Sequence, residues 1–331
     1  MNFKRYFYIT LGCIVLSLLV IVVTVVVVDP YQQYRQSEVY MSNQRLNNPG
    51  LTKNQEYDAV IVGSSMAMNH YPSQVDSLFG WNTINLTTMG GTDEDYMLLF
   101  PHIVKQKKAK HMIWAIDFFS FTLPVTFSSE SYLYDNKWWN DYAYWINYTT
   151  CTNLFNKLTK RKIATSRDVV YHFDSSCGRE LLLQYYERDN NEKYFAKDDF
   201  SQMKQRFDVM ETEVMPILSN VDIYIYFPPY PILEFKLFEQ YGHWGQVLDL
   251  KRHMIEKLLK YPNIKLYDFQ KEEFVCNLDE YMDMRHHSHA YNKRIIEYIH
   301  KDSCRVRDGE YETDLMALDS LVRNFELPIC D

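Results

Sequence analysis

The sequence predicts an α/β protein: a three-layer α/β/α sandwich on a parallel sheet, preceded by one N-terminal transmembrane helix. Three observations predict it. Residues 6–28 form a run of 23 residues without a charge, Pro, Asn or Gln. After residue 56, short β-branched runs alternate with longer amphipathic stretches, the pattern of strands joined by helical crossovers. The strand candidates are mostly continuous apolar runs, as expected where both faces of a sheet are covered.

The apolar run comes first. At ~1.5 Å per residue it makes a helix of about 35 Å, enough for a hydrocarbon core of ~30 Å. Four consecutive valines, Val25 to Val28, are poor helix material in water. In lipid the backbone must satisfy itself internally, and helix wins. The run ends Val27-Val28-Asp29-Pro30, with no small-residue cleavage site, so an uncleaved anchor is expected. Lys4 and Arg5 precede it, and only Arg35 and Arg45 follow closely. That bias puts the N-terminus in the cytoplasm and the body of the chain outside.

Residues 29–56 are polar and poor in aliphatics, and read as a stalk or linker. Residues 57–331 read as the folded domain. Its strand candidates are 59–63, 83–86, 111–117, 221–227 and 264–269. Helical patterns lie at 72–79, 93–108, 198–218, 235–260 and 290–300. Residues 120–196 break the alternation and read as an insertion, with eight aromatic residues from Tyr132 to Tyr148. Those rings could stack on sugars or lie at a membrane interface, where Trp and Tyr concentrate. The plainer alternative is that they pack the insertion onto the domain.

Composition bounds the function. Of 331 residues, 47% are hydrophobic and 24% charged, which excludes global disorder. A net charge of −8 argues against a nucleic-acid-binding protein. Of six cysteines, Cys13 lies in the apolar run and five lie beyond it. At most two intrachain bridges can form among the five. Cys304 and Cys330 flank the last helical stretch and could staple it, the alternative being buried free thiols. No C-x-x-C spacing occurs, which disfavours a thiolate zinc site.

In a parallel α/β sheet the site lies beyond the carboxyl ends of the strands. The first candidate strand ends Gly63-Ser64-Ser65. A serine there can present a hydroxyl above the sheet, or simply cap a helix. The second leads through Asn85 to Gly90-Gly91-Thr92. A glycine pair exposes backbone N–H groups suited to a developing oxyanion, or marks a turn with a cap at Thr92. The third ends at Asp117. Near the C-terminus stands Asp283-Met284-Arg285-His286. This spacing can set a carboxylate beside an imidazole, orienting the ring. His286, His287 and His289 lack the i, i+4 arrangement of a helical zinc site, so no metal is expected.

In order and strand context, these motifs resemble the SGNH (GDSL-type) hydrolase superfamily. Its first block matches Gly63-Ser64-Ser65, its second Asn85 and Gly90, and its last Asp283-Met284-Arg285-His286. The resemblance covers roughly residues 57–300. It leans toward the membrane-anchored proteins of envelope polysaccharide operons, such as the D-alanyl transfer proteins of teichoic acid and the alginate-acetylation proteins. Asp29-Pro30 and Phe227-Pro228-Pro229-Tyr230-Pro231 share that look. The resemblance implies Ser65 as nucleophile, His286 as general base and Asp283 as its orienting partner. The N–H groups of Ser65 and Gly90 would form the oxyanion hole. One departure is Asp117, where the family offers an Asn donor; an ionised carboxylate cannot donate.

The expected function is thus a membrane-anchored, extracytoplasmic serine esterase or O-acyltransferase. It would act on cell-envelope polysaccharide through an acyl-serine intermediate, without a cofactor. Its partners would be an envelope glycan or acylated polymer, the membrane through the N-terminal helix, and a membrane-bound acyltransferase. The rival from another class is an anchored glycan-binding or assembly protein with a degraded site, and Asp117 favours it. A lipase acting on membrane lipid is a third reading, weakened by the lack of a long apolar lid.

Overall fold

The computed structural model of the chain describes residues 3–122, 128–135, 137–168, 176–190 and 199–327. The chain divides into two compact units.

The first unit takes Met1–Glu56 and Phe127–Val170. Its apolar run is one helix, Phe3–Val28, of 26 residues, long and apolar enough to cross a membrane. Most of it is exposed, and Val25, in its last turn, is buried. The helix stops at Asp29, whose φ is 47°. The Asp29 carboxylate then gathers the chain that follows. It accepts the N–H groups of Gln33 and Tyr34, both at 2.8 Å, and of Arg35 at 3.1 Å. The Tyr144 hydroxyl donates to it at 3.2 Å.

Residues 29–56 carry a helix, Gln44–Asn54, where the sequence reads as a stalk. The side chain of Asn43 caps it, accepting from Leu46 N at 3.1 Å. Its buried residues include Asn47, Asn48 and Thr52 as well as Leu46 and Leu51, so it has no apolar period to read. Gly50 lets it press onto the preceding chain: a Cβ there would stand 2.2 Å from the Tyr31 carbonyl oxygen. Val25, Tyr31, Met41, Leu46, Leu133 and Tyr144 make this unit's core. Part of the aromatic insertion therefore packs with the segment after the apolar helix.

The second unit, Tyr57–Thr126 and Tyr171–Asp331, holds the sheet. Its strands are β1 (Ala59–Val62), β2 (Thr83–Asn85), β3 (His111–Ala115), β4 (Asp222–Phe227) and β5 (Ile264–Asp268). All pairs are parallel, in the order β2-β1-β3-β4-β5. The chain first steps one way from β1 and then returns across it. With right-handed crossovers this places the first helix on one face and the next three on the other. The packing agrees. Pro72–Phe79 lies against His289–His300, while Asp93–Gln106, Phe200–Val214 and Trp244–Leu258 pack in series.

Local chemistry sets the helix ends. Thr92 and Asp95 form a capping box, Asp199 accepts from Gln202 N, and Ser288 accepts from Tyr291 N. Two expected helices are shorter than their patterns. The stretch 198–218 ends as α-helix at Val214, and a 3₁₀ turn begins at Pro216, which has no N–H to continue the ladder. The stretch 235–260 is two helices, Ile232–Gln240 and Trp244–Leu258, parted at Gly242 with φ 78°. The Cys304–Cys330 pairing falls on Cys330, outside the described residues.

Candidate active site

The site is built on the carboxyl edge of the sheet. β1 runs into Gly63, whose φ is +152°. A Cβ there would come within 3.0 Å of the Cβ atoms of Ala115 and Ala67. Only glycine lets β1 turn so tightly against β3 at this point.

The two serines that follow divide the readings of the motif. Ser64 is buried. Its hydroxyl donates to Asp117 Oδ2 at 2.8 Å and accepts from Met66 N at 3.3 Å, capping the 3₁₀ turn Ser65–Ala67. Ser65 is half-buried, and its Oγ lies 2.8 Å from His286 Nε2.

The loop around His286 explains why Asp-x-x-His has this geometry. Tyr281 and His287 pair across an antiparallel bridge, and Met282 N donates to His286 O at 2.8 Å. Inside it, Asp283 Oδ1 accepts the N–H groups of Arg285 and His286, both at 2.8 Å. This is a side chain closing its own turn. The other carboxylate oxygen, Oδ2, lies 2.8 Å from His286 Nδ1. Ser65, His286 and Asp283 thus form one continuous line of contacts.

Burial pushes the Asp283 carboxyl up. The hydrogen bonds and charge of His286, with the Arg285 N–H, outweigh it and hold the group below its ordinary 3.8. A depressed carboxylate keeps its contribution above 3.8 and loses it only as pH falls through the lower, folded value. The Asp283–His286 contact therefore persists through the neutral range.

The other expected site residues are placed differently. Asn85 is buried. Its Nδ2 donates to Met68 O at 3.1 Å, and its Oδ1 accepts from Thr87 N and Thr87 Oγ1. It ties the β1 and β2 loops to each other. Asp117, expected in the place of an oxyanion donor, accepts hydrogen bonds from Ser64, from the Tyr230 hydroxyl and from Phe119 N. It anchors the serine turn from beneath. Gly90 is exposed with φ +57° in the loop after β2. That loop is fastened to the serine turn by Thr88 N donating to Gly63 O at 2.9 Å.

Several supporting residues carry no sequence signal of their own. Tyr230 lies in the Pro-bracketed segment after β4, whose family look gave the tyrosine no role of its own. Arg285 lies with its guanidinium 3.4 Å above the Phe119 ring centroid. His70 and His287 are buried. His70 Nε2 meets the Tyr226 hydroxyl at 2.6 Å, and His287 Nδ1 lies 3.4 Å from Ser288 O. Burial, with the proximity of other histidines, pulls His70 down to about 3 and His287 down to about 4.

These two histidines set an acid limit on stability. Unfolded, each takes up a proton near 6.5; folded, each resists it until pH 4 or below. Their contribution to stability is therefore whole above 6.5 and declines as pH falls from there. Each histidine contributes a slope of about 1.4 kcal/mol per pH unit. Thermal unfolding of the full chain between pH 7 and about pH 5 should show this decline. His70→Gln should remove about half of the part the two histidines contribute, and an unchanged slope would refute the assignment.

No protein-family model matches the chain, and no curated protein matches it. Among solved structures, the crystal structure of the lipase Lip_vut3 from goat rumen metagenome is similar, with a TM-score of 0.39 and 14% identity. The match covers 75% of this chain and 97% of that one. So loose a likeness assigns no chemistry. The fold and the site geometry define a parallel α/β protein with Ser, His and Asp in hydrogen-bonded sequence at the carboxyl edge of its sheet.

Proposed function

We propose that this chain is an SGNH-type serine hydrolase or O-acyltransferase, held to a membrane by the helix Phe3–Val28. Its substrate is an acyl ester on an extracytoplasmic, cell-envelope polysaccharide. The observation that carries the reading is the pair of 2.8 Å contacts joining Ser65 Oγ to His286 Nε2 and His286 Nδ1 to Asp283 Oδ2. An unassisted serine hydroxyl is a poor nucleophile at neutral pH, and an oriented imidazole is what activates it.

In the proposed reaction Ser65 Oγ attacks the acyl carbonyl and its proton passes to His286 Nε2. As the tetrahedral intermediate collapses, the ester C–O bond breaks, and His286 returns the proton to the leaving alkoxide. The acyl-serine is then resolved by water, giving a free acid, or by a glycan hydroxyl, giving a transferred ester. His286 takes the proton of either acceptor and returns it to Ser65. Asp283 holds Nδ1 protonated so that Nε2 is free to accept. The N–H groups of Ser65 and Gly90 are the proposed oxyanion donors. Ser64, Asp117 and Tyr230 position the turn that carries the nucleophile.

A fluorophosphonate probe tests the reading. Incubated with the full chain in detergent, it should label Ser65, identified by peptide mass spectrometry. Ser65→Ala should abolish labelling while Ser64 stays unlabelled. An unlabelled Ser65 in a folded chain would overturn the enzyme reading in favour of an anchored glycan-binding protein.

A further inference from the structure

The helix Tyr148–Leu158 turns large apolar side chains outward as well as inward. Its inward side packs Leu154 on the unit's core and carries polar groups beside it. Asn153 Nδ2 donates to the Tyr31 hydroxyl, and Thr150 is buried. Lys157 Nζ donates to the Asp29 carbonyl at 2.8 Å, where the apolar helix ends. Its outward side carries Tyr148, Phe155 and Leu158, which are 85%, 58% and 59% exposed. Tyr148 and Phe155 are seven apart and share one face, with Leu158 beside them. In water a surface helix presents polar and charged residues on its outward side.

Three further observations bear on what covers this face. The helix packs against Phe3–Val28, in the same unit. Twenty-six residues span about 39 Å, some 9 Å more than a ~30 Å hydrocarbon core, so the last turns of a spanning helix emerge into the headgroup layer. One residue beyond this helix come Lys160, Arg161 and Lys162, all exposed. A basic cluster beside an exposed aromatic and aliphatic face matches an anionic bilayer surface. Trp138 and Trp139 of the same unit are also exposed, at 69% and 61%, and Trp is enriched at membrane interfaces.

We propose that Tyr148–Leu158 lies in the headgroup layer of the leaflet where Phe3–Val28 emerges. Tyr148, Phe155 and Leu158 enter the acyl boundary, and Lys160, Arg161 and Lys162 meet anionic lipid phosphates. The membrane is thus gripped twice, by the spanning helix and by this surface helix. The proposal rests on the membrane reading of Phe3–Val28.

The test uses the full chain in nanodiscs containing brominated lipids. Phe155→Trp should add emission that is quenched most by bromines near the headgroup end of the acyl chain. Leu16→Trp, in the middle of the apolar helix, should be quenched most by deep bromines. Quenching of Leu16→Trp without quenching of Phe155→Trp overturns the surface helix and leaves the anchor standing, as it would if a partner protein covered the face. Quenching of neither overturns both. Lys160→Glu with Arg161→Glu and Lys162→Glu should lose most of the Phe155→Trp quenching in phosphatidylglycerol discs. Unchanged quenching there overturns the anionic-lipid contact.

Discussion

Ser65→Ala should lower esterase turnover by roughly 10⁴–10⁶-fold while leaving the melting temperature almost unchanged. The reason for the size is that Ser65 forms the covalent bond in the proposed reaction. The rest of the site can then give only the residual rate that binding and oxyanion donors supply. The reason for the unchanged stability is that the substitution removes one half-exposed oxygen, whose contact is His286. Ser64→Ala makes the informative contrast. It deletes the bond to Asp117 and the cap on Met66 N, so it should cost about 1 kcal/mol or more of stability. Asp283→Asn should fall between wild type and Ser65→Ala in turnover, because an amide keeps the turn but sets the wrong imidazole tautomer. Turnover on an acyl-ester substrate, beside thermal unfolding of each variant, checks all three. A fully active Ser65→Ala would remove the serine mechanism.

Lys251→Met should destabilise the sheet unit by about 3–5 kcal/mol without touching the Ser65–His286–Asp283 line. Lys251 and Asp268 are almost fully buried and meet at 2.7 Å. Lys251 also donates to Gln270 Oε1 at 2.9 Å. Burial pulls the Lys251 ammonium below its ordinary value, and the Asp268 charge opposes that shift. Methionine fills much of the same volume but leaves the Asp268 carboxylate buried without its paired cation. The loss is large against a typical domain stability of ~5–15 kcal/mol. Adding Asp268→Asn should recover part of it, since the stranded charge disappears while the amide oxygen can still accept from Gln270 N. Denaturant unfolding of both variants measures the difference. A loss below about 1 kcal/mol for Lys251→Met would show that the pair contributes little net stability.

The elements legible in the sequence were those whose signal is local. The apolar helix Phe3–Val28 follows from composition alone, because no aqueous helix tolerates so long a run without a polar stripe. All five strands could be read because a sheet covered on both faces demands short, continuous apolar runs. Asp283 and His286 were legible because their contact spans three residues and one self-closing turn. The Gly63-Ser64-Ser65 motif was legible as a strand end, since Gly63 answers a local backbone need.

Tertiary structure decided what depends on distant partners. Which serine faces the imidazole is set by Asp117 and Tyr230, which hold Ser64 down and leave Ser65 to His286, 221 positions away. The helix Gln44–Asn54 was hidden because it buries asparagines, whose hydrogen bonds only the assembled unit supplies. The roles of Asn85 and Asp117 were likewise invisible: a polar residue at a strand end reads as a ligand contact, and only packing shows it bound to neighbouring loops. Sequence by itself determined the apolar helix, the strand runs and the late Asp-x-x-His turn, because hydrophobic period and short-range hydrogen bonding are written in neighbouring residues. The pairing of serine with histidine, the partner of each buried polar group and the outward turn of Tyr148 and Phe155 were decided only when the chain closed on itself. Burial and long-range contact are properties of the folded volume and have no local code.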